Sequence, residues 1–98
     1  MNNNLVKFIQ GNKMDIYQIY IKPIEDKMNK LYEKQMKLCK EISILDTKLN
    51  NIQFVSILDI NEYISSLKLI NKKEIELTRV KNEYRNLNAT RLHALGLI

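Results

Sequence analysis

The chain has 98 residues and a formal net charge of +5, with only two glycines, one proline and no tryptophan. This composition leaves little material for turns and catalytic loops, so it favours a helical rod over a globular enzyme. The single cysteine excludes an intrachain disulfide, and no run of about 18 apolar residues predicts a membrane-spanning helix. Residues 1–13 show no secretory leader pattern, so we expect a cytoplasmic protein.

The first 13 residues are predicted to form a flexible N-terminal arm. Three consecutive asparagines and Gly11 favour turns and frayed ends around a short apolar patch at residues 5–9. This segment is either a loose arm or a short docking segment.

A heptad pattern of apolar residues runs through the first half of the chain. It predicts a first coiled-coil helix over residues 14–56, about 65 Å long at about 1.5 Å per residue, which exceeds a compact domain of this size. Such a helix needs partner helices to cover its apolar stripe. One position, Gln35, is polar; it either penalises wrong registers or lies where the bundle is open to water. The apolar members are Met14, Tyr17, Ile21, Ile24, Met28, Leu31, Leu38, Ile42, Leu45, Leu49 and Ile52.

Pro23 lies inside this pattern and either starts the helix or bends it. Proline lacks an amide donor and is tolerated without bending only in the first helical turn. Glu25 and Asp26 follow it, where carboxylates suit the positive end of a helix dipole. Because the apolar pattern continues upstream of Pro23, we expect a kink there.

The second half predicts a junction at residues 57–60, a second helix at residues 61–90 and a C-terminal tail at residues 91–98. β-Branched and aromatic residues interrupt the heptad before the junction, and either Asp59 or Asn61 is able to cap the following helix. Lys73 and Glu74 interrupt the apolar stripe of this helix, which is the weaker of the two. Its apolar positions are Tyr63, Ile64, Leu67, Ile70, Leu77, Val80, Tyr84 and Leu87.

The predicted fold is all-α: an elongated coiled coil of two long helices, either a hairpin or a kinked rod, that packs in a multi-chain helical bundle. Because a partner must cover the stripe, we expect the isolated chain to self-associate or to be partly unfolded. The predicted partner-binding seam consists of Met28, Leu31, Gln35, Leu38, Ile42, Leu45, Leu49, Ile52, Tyr63, Leu67, Ile70, Leu77, Val80, Tyr84 and Leu87.

The sequence offers no catalytic or metal-binding constellation. His93 is the only histidine and has no neighbouring cysteine or carboxylate, while the heptad places Cys39 beside the seam, where packing is its expected role. No glycine-rich phosphate loop occurs. We therefore expect no enzymatic activity, no cofactor, no metal and no small-molecule substrate.

The lysines raise a second binding hypothesis. Lys27, Lys30, Lys34 and Lys37 follow helical spacing and make a possible basic surface beside the seam. Acidic residues are interleaved with them, arginine is scarce, and no aromatic residue lies on this strip to stack bases. A solvated flank of the coiled coil is thus the favoured interpretation over a surface for nucleic acid or anionic lipid.

The residues around the junction and along the second helix form a distinctive series. A heptad helix is followed by the pair Leu58 and Asp59 and, after three residues, by Tyr63 and Ile64, and then by a basic pair. This series resembles the snapin family of small coiled-coil proteins. The family has a proline just before the tyrosine, where this chain has Glu62, and its basic run is longer. The resemblance spans residues 31–90 and is carried by Leu58, Asp59, Ile60, Asn61, Tyr63, Ile64, Leu67, Lys72, Lys73, Arg85, Asn86, Leu87 and Asn88.

The pattern predicts a non-enzymatic assembly subunit of a hetero-oligomeric complex, whose partners are other coiled-coil subunits. The resemblance implies a role in endosome or lysosome-related organelle biogenesis and vesicle trafficking, with SNARE association and peripheral attachment to those membranes through the complex. One alternative is a basic helical RNA- or ribosome-binding protein. Another is a subunit of a kinetochore or vesicle-tethering coiled-coil complex.

Overall fold

The computed structural model describes residues 16–96 and shows two long helices packed as an extended hairpin 62 Å long. Helix α1 spans Lys22–Asn50, helix α2 spans Ile57–Gly96, and a π-helical turn, Tyr17–Ile21, leads into α1. No strand occurs within residues 16–96. The all-α fold with two long helices is confirmed, and the hairpin is the arrangement adopted. The expected N-terminal arm lies outside the described residues.

Pro23 lies in the first turn of α1, directly after the π-helical turn. The helical path continues upstream of the proline, since Ile16 and Ile21 both keep right-handed helical dihedral angles. A proline cannot donate to the carbonyl four residues earlier, and its ring crowds that carbonyl. A π-helical turn is wider than an α-helical one, so we attribute its position here to the proline. Pro23 thus starts the regular α-helix without ending the helical path.

The turn between the helices is stabilised by hydrogen bonds that the side chain of Asp59 accepts from the residues just before α2. The carboxylate of Asp59 accepts hydrogen bonds from the backbone N–H groups of Ser56 at 2.8 Å and Val55 at 2.9 Å. These contacts satisfy donors at the exposed start of α2. The expected junction at residues 57–60 and helix start at residue 61 are therefore corrected: α1 ends at Asn50, and α2 begins at Ile57 and continues to Gly96.

The core is one thin layer between the two helices. Two helices alone can enclose only a narrow sector of each other's surface, so few side chains are fully covered. The side chains with the least solvent exposure in the described residues are Ile21, Met28, Leu38, Ser66, Ile70 and Val80.

Ion pairs along the hairpin hold the two helices in register. Lys34 contacts Glu76 at 2.8 Å and Lys48 contacts Glu62 at 2.9 Å. These four side chains are about half exposed, so each pair contributes little to stability by itself. Their effect is specificity, since a register slip would separate both pairs.

Candidate partner-binding surface

The seven predicted seam residues on α1 face α2, and the eighth, Ile52, lies in the turn between the helices. Met28 and Leu38 are buried, and the others, Leu31, Gln35, Ile42, Leu45, Leu49 and Ile52, are partly covered. The apolar stripe of α1 therefore meets a partner within the same chain. Gln35 lies in this interface among apolar side chains and keeps partial access to water.

On α2 the structure brings six of the seven predicted seam residues to the interface and leaves one outside. Tyr63, Ile70, Leu77, Val80, Tyr84 and Leu87 face α1. The seventh, Leu67, lies on the outer surface and is 43% exposed. Ile64, an apolar position that was not part of the predicted seam, is also 43% exposed there. Polar Ser66 and Lys73 take the inward positions instead. Both residues belong to the heptad series that starts at Asp59 and proceeds by alternating steps of four and three residues. The spacing alone therefore could have predicted that they face α1.

Lys73 is the one lysine of the inward-facing row on α2. Its Nζ lies 2.6 Å from the carboxylate of Glu41 on α1, and the two side chains are 23% and 32% exposed. The hydrogen bond from Lys73 holds the pKa of Glu41 below its ordinary value, against the opposing effect of partial burial. A lysine is tolerated among apolar neighbours here because it has an acidic partner in the same layer.

A second apolar surface remains uncovered on the outside of α2. We call it the outer stripe: Ile57, Ile60, Ile64 and Leu67, spaced by three, four and three residues along one face of the helix. All four side chains are at least 43% exposed. Phe54, Val55 and Leu58 extend this apolar surface around the tip of the hairpin, where Val55 is 83% exposed.

The outer side of α1 also carries exposed large apolar residues, namely Tyr32, Met36 and Ile44. Contiguous exposed apolar surface is unusual on a monomeric protein and marks interaction sites. The hairpin therefore has apolar surface available for further chains on both helices.

The predicted basic strip is flanked by acidic side chains. Lys30, Lys34 and Lys37 line an open groove of about 580 Å³ together with Glu33, Glu41, Glu76 and Lys73. Lys27 borders a neighbouring groove of about 270 Å³ that Glu83 also lines. The Lys34 ammonium holds the pKa of Glu76 below its ordinary value. The charges in these grooves are largely compensated within the chain.

A polar cluster closes the open end of the hairpin. The hydroxyl of Tyr17 donates to Glu25, and Arg91 of α2 lies 3.2 Å from the same carboxylate. The hydrogen bond from Tyr17 is the main reason why the pKa of Glu25 is lowered, and it raises the pKa of Tyr17. This cluster joins the π-helical turn to the last turns of α2.

Residues with catalytic potential are dispersed in the described part of the chain. Cys39 and His93 are both exposed and lie on different helices. Within residues 16–96 no group of three histidine, cysteine or acidic side chains is arranged to hold a metal ion. In the same part of the chain, no helix is long and apolar enough to cross a membrane.

Comparison with known proteins gives no relative: no family model, no curated protein and no solved structure matches this chain.

Proposed function

We propose that this protein is a non-enzymatic assembly subunit, which adds its helical hairpin to a hetero-oligomeric complex of coiled-coil chains. The observation that carries the proposal is the apolar surface left uncovered on both helices, above all the outer stripe. Burying a large apolar side chain contributes about 1.5–3 kcal/mol relative to leaving it exposed. Helices from other chains would recover this free energy by covering Ile60, Ile64 and Leu67.

The shape of the hairpin supports the same function. A rod 62 Å long and two helices wide offers a large side surface relative to its thin core. Added helices would convert the two-helix layer into a bundle and cover the partly exposed residues of the seam as well as the outer stripe. The snapin resemblance extends this proposal to complexes of endosomal or lysosome-related membranes, with SNARE proteins as candidate partners and attachment to the membrane through the complex.

Affinity capture with matched variants tests the proposal. The tagged full chain is incubated with its native cytosol, washed at low and high salt, with and without nuclease, and the retained proteins are identified by mass spectrometry. We expect several small helical proteins to remain at high salt, because apolar contacts are little screened. Ile64→Asp combined with Leu67→Asp should release them.

The control variant is Lys30→Glu combined with Lys37→Glu, which changes charges without touching the outer stripe. It should keep the same proteins bound, and circular dichroism should show unchanged helix content for both variants. Retained RNA or ribosomal proteins that disappear with salt or nuclease would refute the assembly proposal, because phosphate contacts weaken steeply as salt rises. Loss of the bound proteins in the lysine variant alone would also contradict it.

A further inference from the structure

The inward-facing residues of the two helices belong to one continuous heptad register that crosses the turn. From Leu49 the alternation of three and four residues passes through Ile52, Ser56 and Asp59 to Tyr63 without a phase change. It extends back to Ile21 and forward to Ala94, and every position in it except Ser56 is at least partly covered. A hairpin does not need this continuity, because a turn usually lets the second helix start in any phase.

The turn itself contains no residue that would stop a helix. Residues 51–56 include neither glycine nor proline. Among the described residues no non-glycine residue has a positive φ and no peptide bond is cis, so no residue of the turn is held in the left-handed region or about a cis bond. Asn51, the first residue after α1, already has right-handed dihedral angles.

We propose that the chain has a second state, in which the turn becomes helical and two copies exchange α2 to form an antiparallel dimer of continuous helices. The partner on the seam of α1 is then α2 of a second copy of this chain. Domain exchange of this kind has a low free-energy cost, because the contacts between α1 and α2 in the closed form are made again between two chains.

The ion pairs show why the contacts carry over. The residue numbers of Lys34 and Glu76 have a mean of 55, and those of Lys48 and Glu62 have the same mean. In an antiparallel pair of identical helices, residues pair symmetrically about the twofold axis. An axis at the turn therefore reproduces both pairs between two copies, in the register of the hairpin. The midpoint of Glu41 and Lys73 falls at 57, within the same turn of helix.

The tip of the hairpin supplies a reason for the exchange. Val55 is 83% exposed in the turn. In a continuous helix it directly precedes the seam position of Ser56, which places it at the edge of the dimer interface near the twofold axis. The two turns would meet at this axis, so apolar surface that the hairpin leaves in water is partly covered in the dimer.

The hydrogen bonds accepted by Asp59 stabilise the closed form. The carboxylate of Asp59 accepts two backbone N–H groups in the turn, and both would be used by helical hydrogen bonds in the rod. Removing a cap of this kind changes a helix-start equilibrium by about fivefold. Each dimer replaces two such turns, so Asp59→Ala should raise the dimer association constant by about 25-fold. Gln53→Pro should abolish the dimer, since proline inside a helix breaks it.

Size-exclusion chromatography with light scattering measures the oligomeric state of the full chain and of these two variants. We expect a dimer that increases with concentration in the unsubstituted protein, increases further in Asp59→Ala and is absent in Gln53→Pro, which keeps its helix content as a monomer. A protein that stays monomeric at every concentration, or a dimer that Gln53→Pro leaves unchanged, would overturn the proposal.

Cross-linking distinguishes an exchanged dimer from two closed hairpins that associate. The variant carries Lys48→Cys and Glu62→Cys with Cys39→Ser, and a short bismaleimide reagent joins the two new thiols in the separated monomer and dimer fractions. We expect the monomer to be linked within one chain and the dimer to become covalent, as seen on a denaturing gel. A dimer fraction that runs as single chains after cross-linking would show closed hairpins and refute the exchange. Lys48→Cys alone, with Cys39→Ser, is the control for links at random.

This test requires no other protein, so its failure would leave the assembly proposal standing. Conversely, failure to capture a coiled-coil partner from cytosol would not affect the proposal that two copies exchange α2.

Discussion

Replacing Leu38 by alanine tests whether the seam between α1 and α2 is the core of the protein. Leu38 is 5% exposed and lies on the face of α1 that packs against α2. Truncating a buried leucine to alanine costs about 2–5 kcal/mol of unfolding free energy. Leu38 also borders an open groove that water can enter, so we expect a loss near the lower end, about 2–3 kcal/mol. For a domain of this size, that loss lowers Tm by about 10–20 °C.

Ile44→Ala is the matched control on the same helix. Ile44 is 58% exposed, and alanine has a higher helix propensity than isoleucine, so this change should alter the free energy of unfolding by at most about 0.5 kcal/mol. Thermal and urea unfolding followed by far-UV circular dichroism measures both variants. The measurement is repeated at low and high protein concentration, because association would raise the apparent stability. Equal losses for the two variants would refute the seam as the source of stability.

Two further predictions concern the polar contacts. The pKa values of Glu25, Glu41, Asp59 and Glu76 are all lowered in the folded chain, so the stability these groups add is fully present above their unfolded pKa values of about 4 and is lost as pH falls through the folded values. Urea midpoints should therefore change little between pH 7 and about pH 5 and drop below about pH 4; a variant with Glu41→Gln and Glu76→Gln should show a shallower drop, and an identical profile would contradict these assignments. Removing the guanidinium by Arg91→Ala should speed amide hydrogen exchange in the π-helical turn about two- to fivefold and leave the tip of the hairpin unchanged. Tyr17→Phe should produce part of the same effect, whereas uniform acceleration along both helices would show that the cluster does not act locally.

Much of the local structure follows from the sequence because apolar periodicity is a local property. The alternation of three and four residues on α1 is enough to place Met28, Leu38 and Ile42 on one face of a helix, and the structure confirms the two long helices. The residues at which those helices begin and end were harder to predict from the sequence. Either Asp59 or Asn61 was expected to cap the second helix. The carboxylate of Asp59 instead accepts a hydrogen bond from the backbone N–H of Ser56, and α2 begins earlier than the apolar pattern indicated.

The identity of the partner helix was decided only by tertiary structure. An apolar stripe fits many partners equally well, and the residues of the seam do not specify whether the covering helix comes from the same chain. The ion pair of Glu41 with Lys73 joins residues far apart in the sequence, and it brings a lysine into the inward-facing row that composition would have placed in solvent. The same pairing turns Ile64 and Leu67 outward, which leaves apolar residues where a partner can reach them.

The sequence by itself determined an all-helical, elongated chain with an apolar stripe on each helix, because spacing and the scarcity of glycine and proline act within a few residues. The tertiary structure decided that the two stripes cover each other and which apolar side chains remain outside. The pairing of the two stripes depends on the six-residue turn and on contacts such as that of Lys34 with Glu76. The free energy of such contacts depends on the path of the whole chain, so no local sequence pattern contains it.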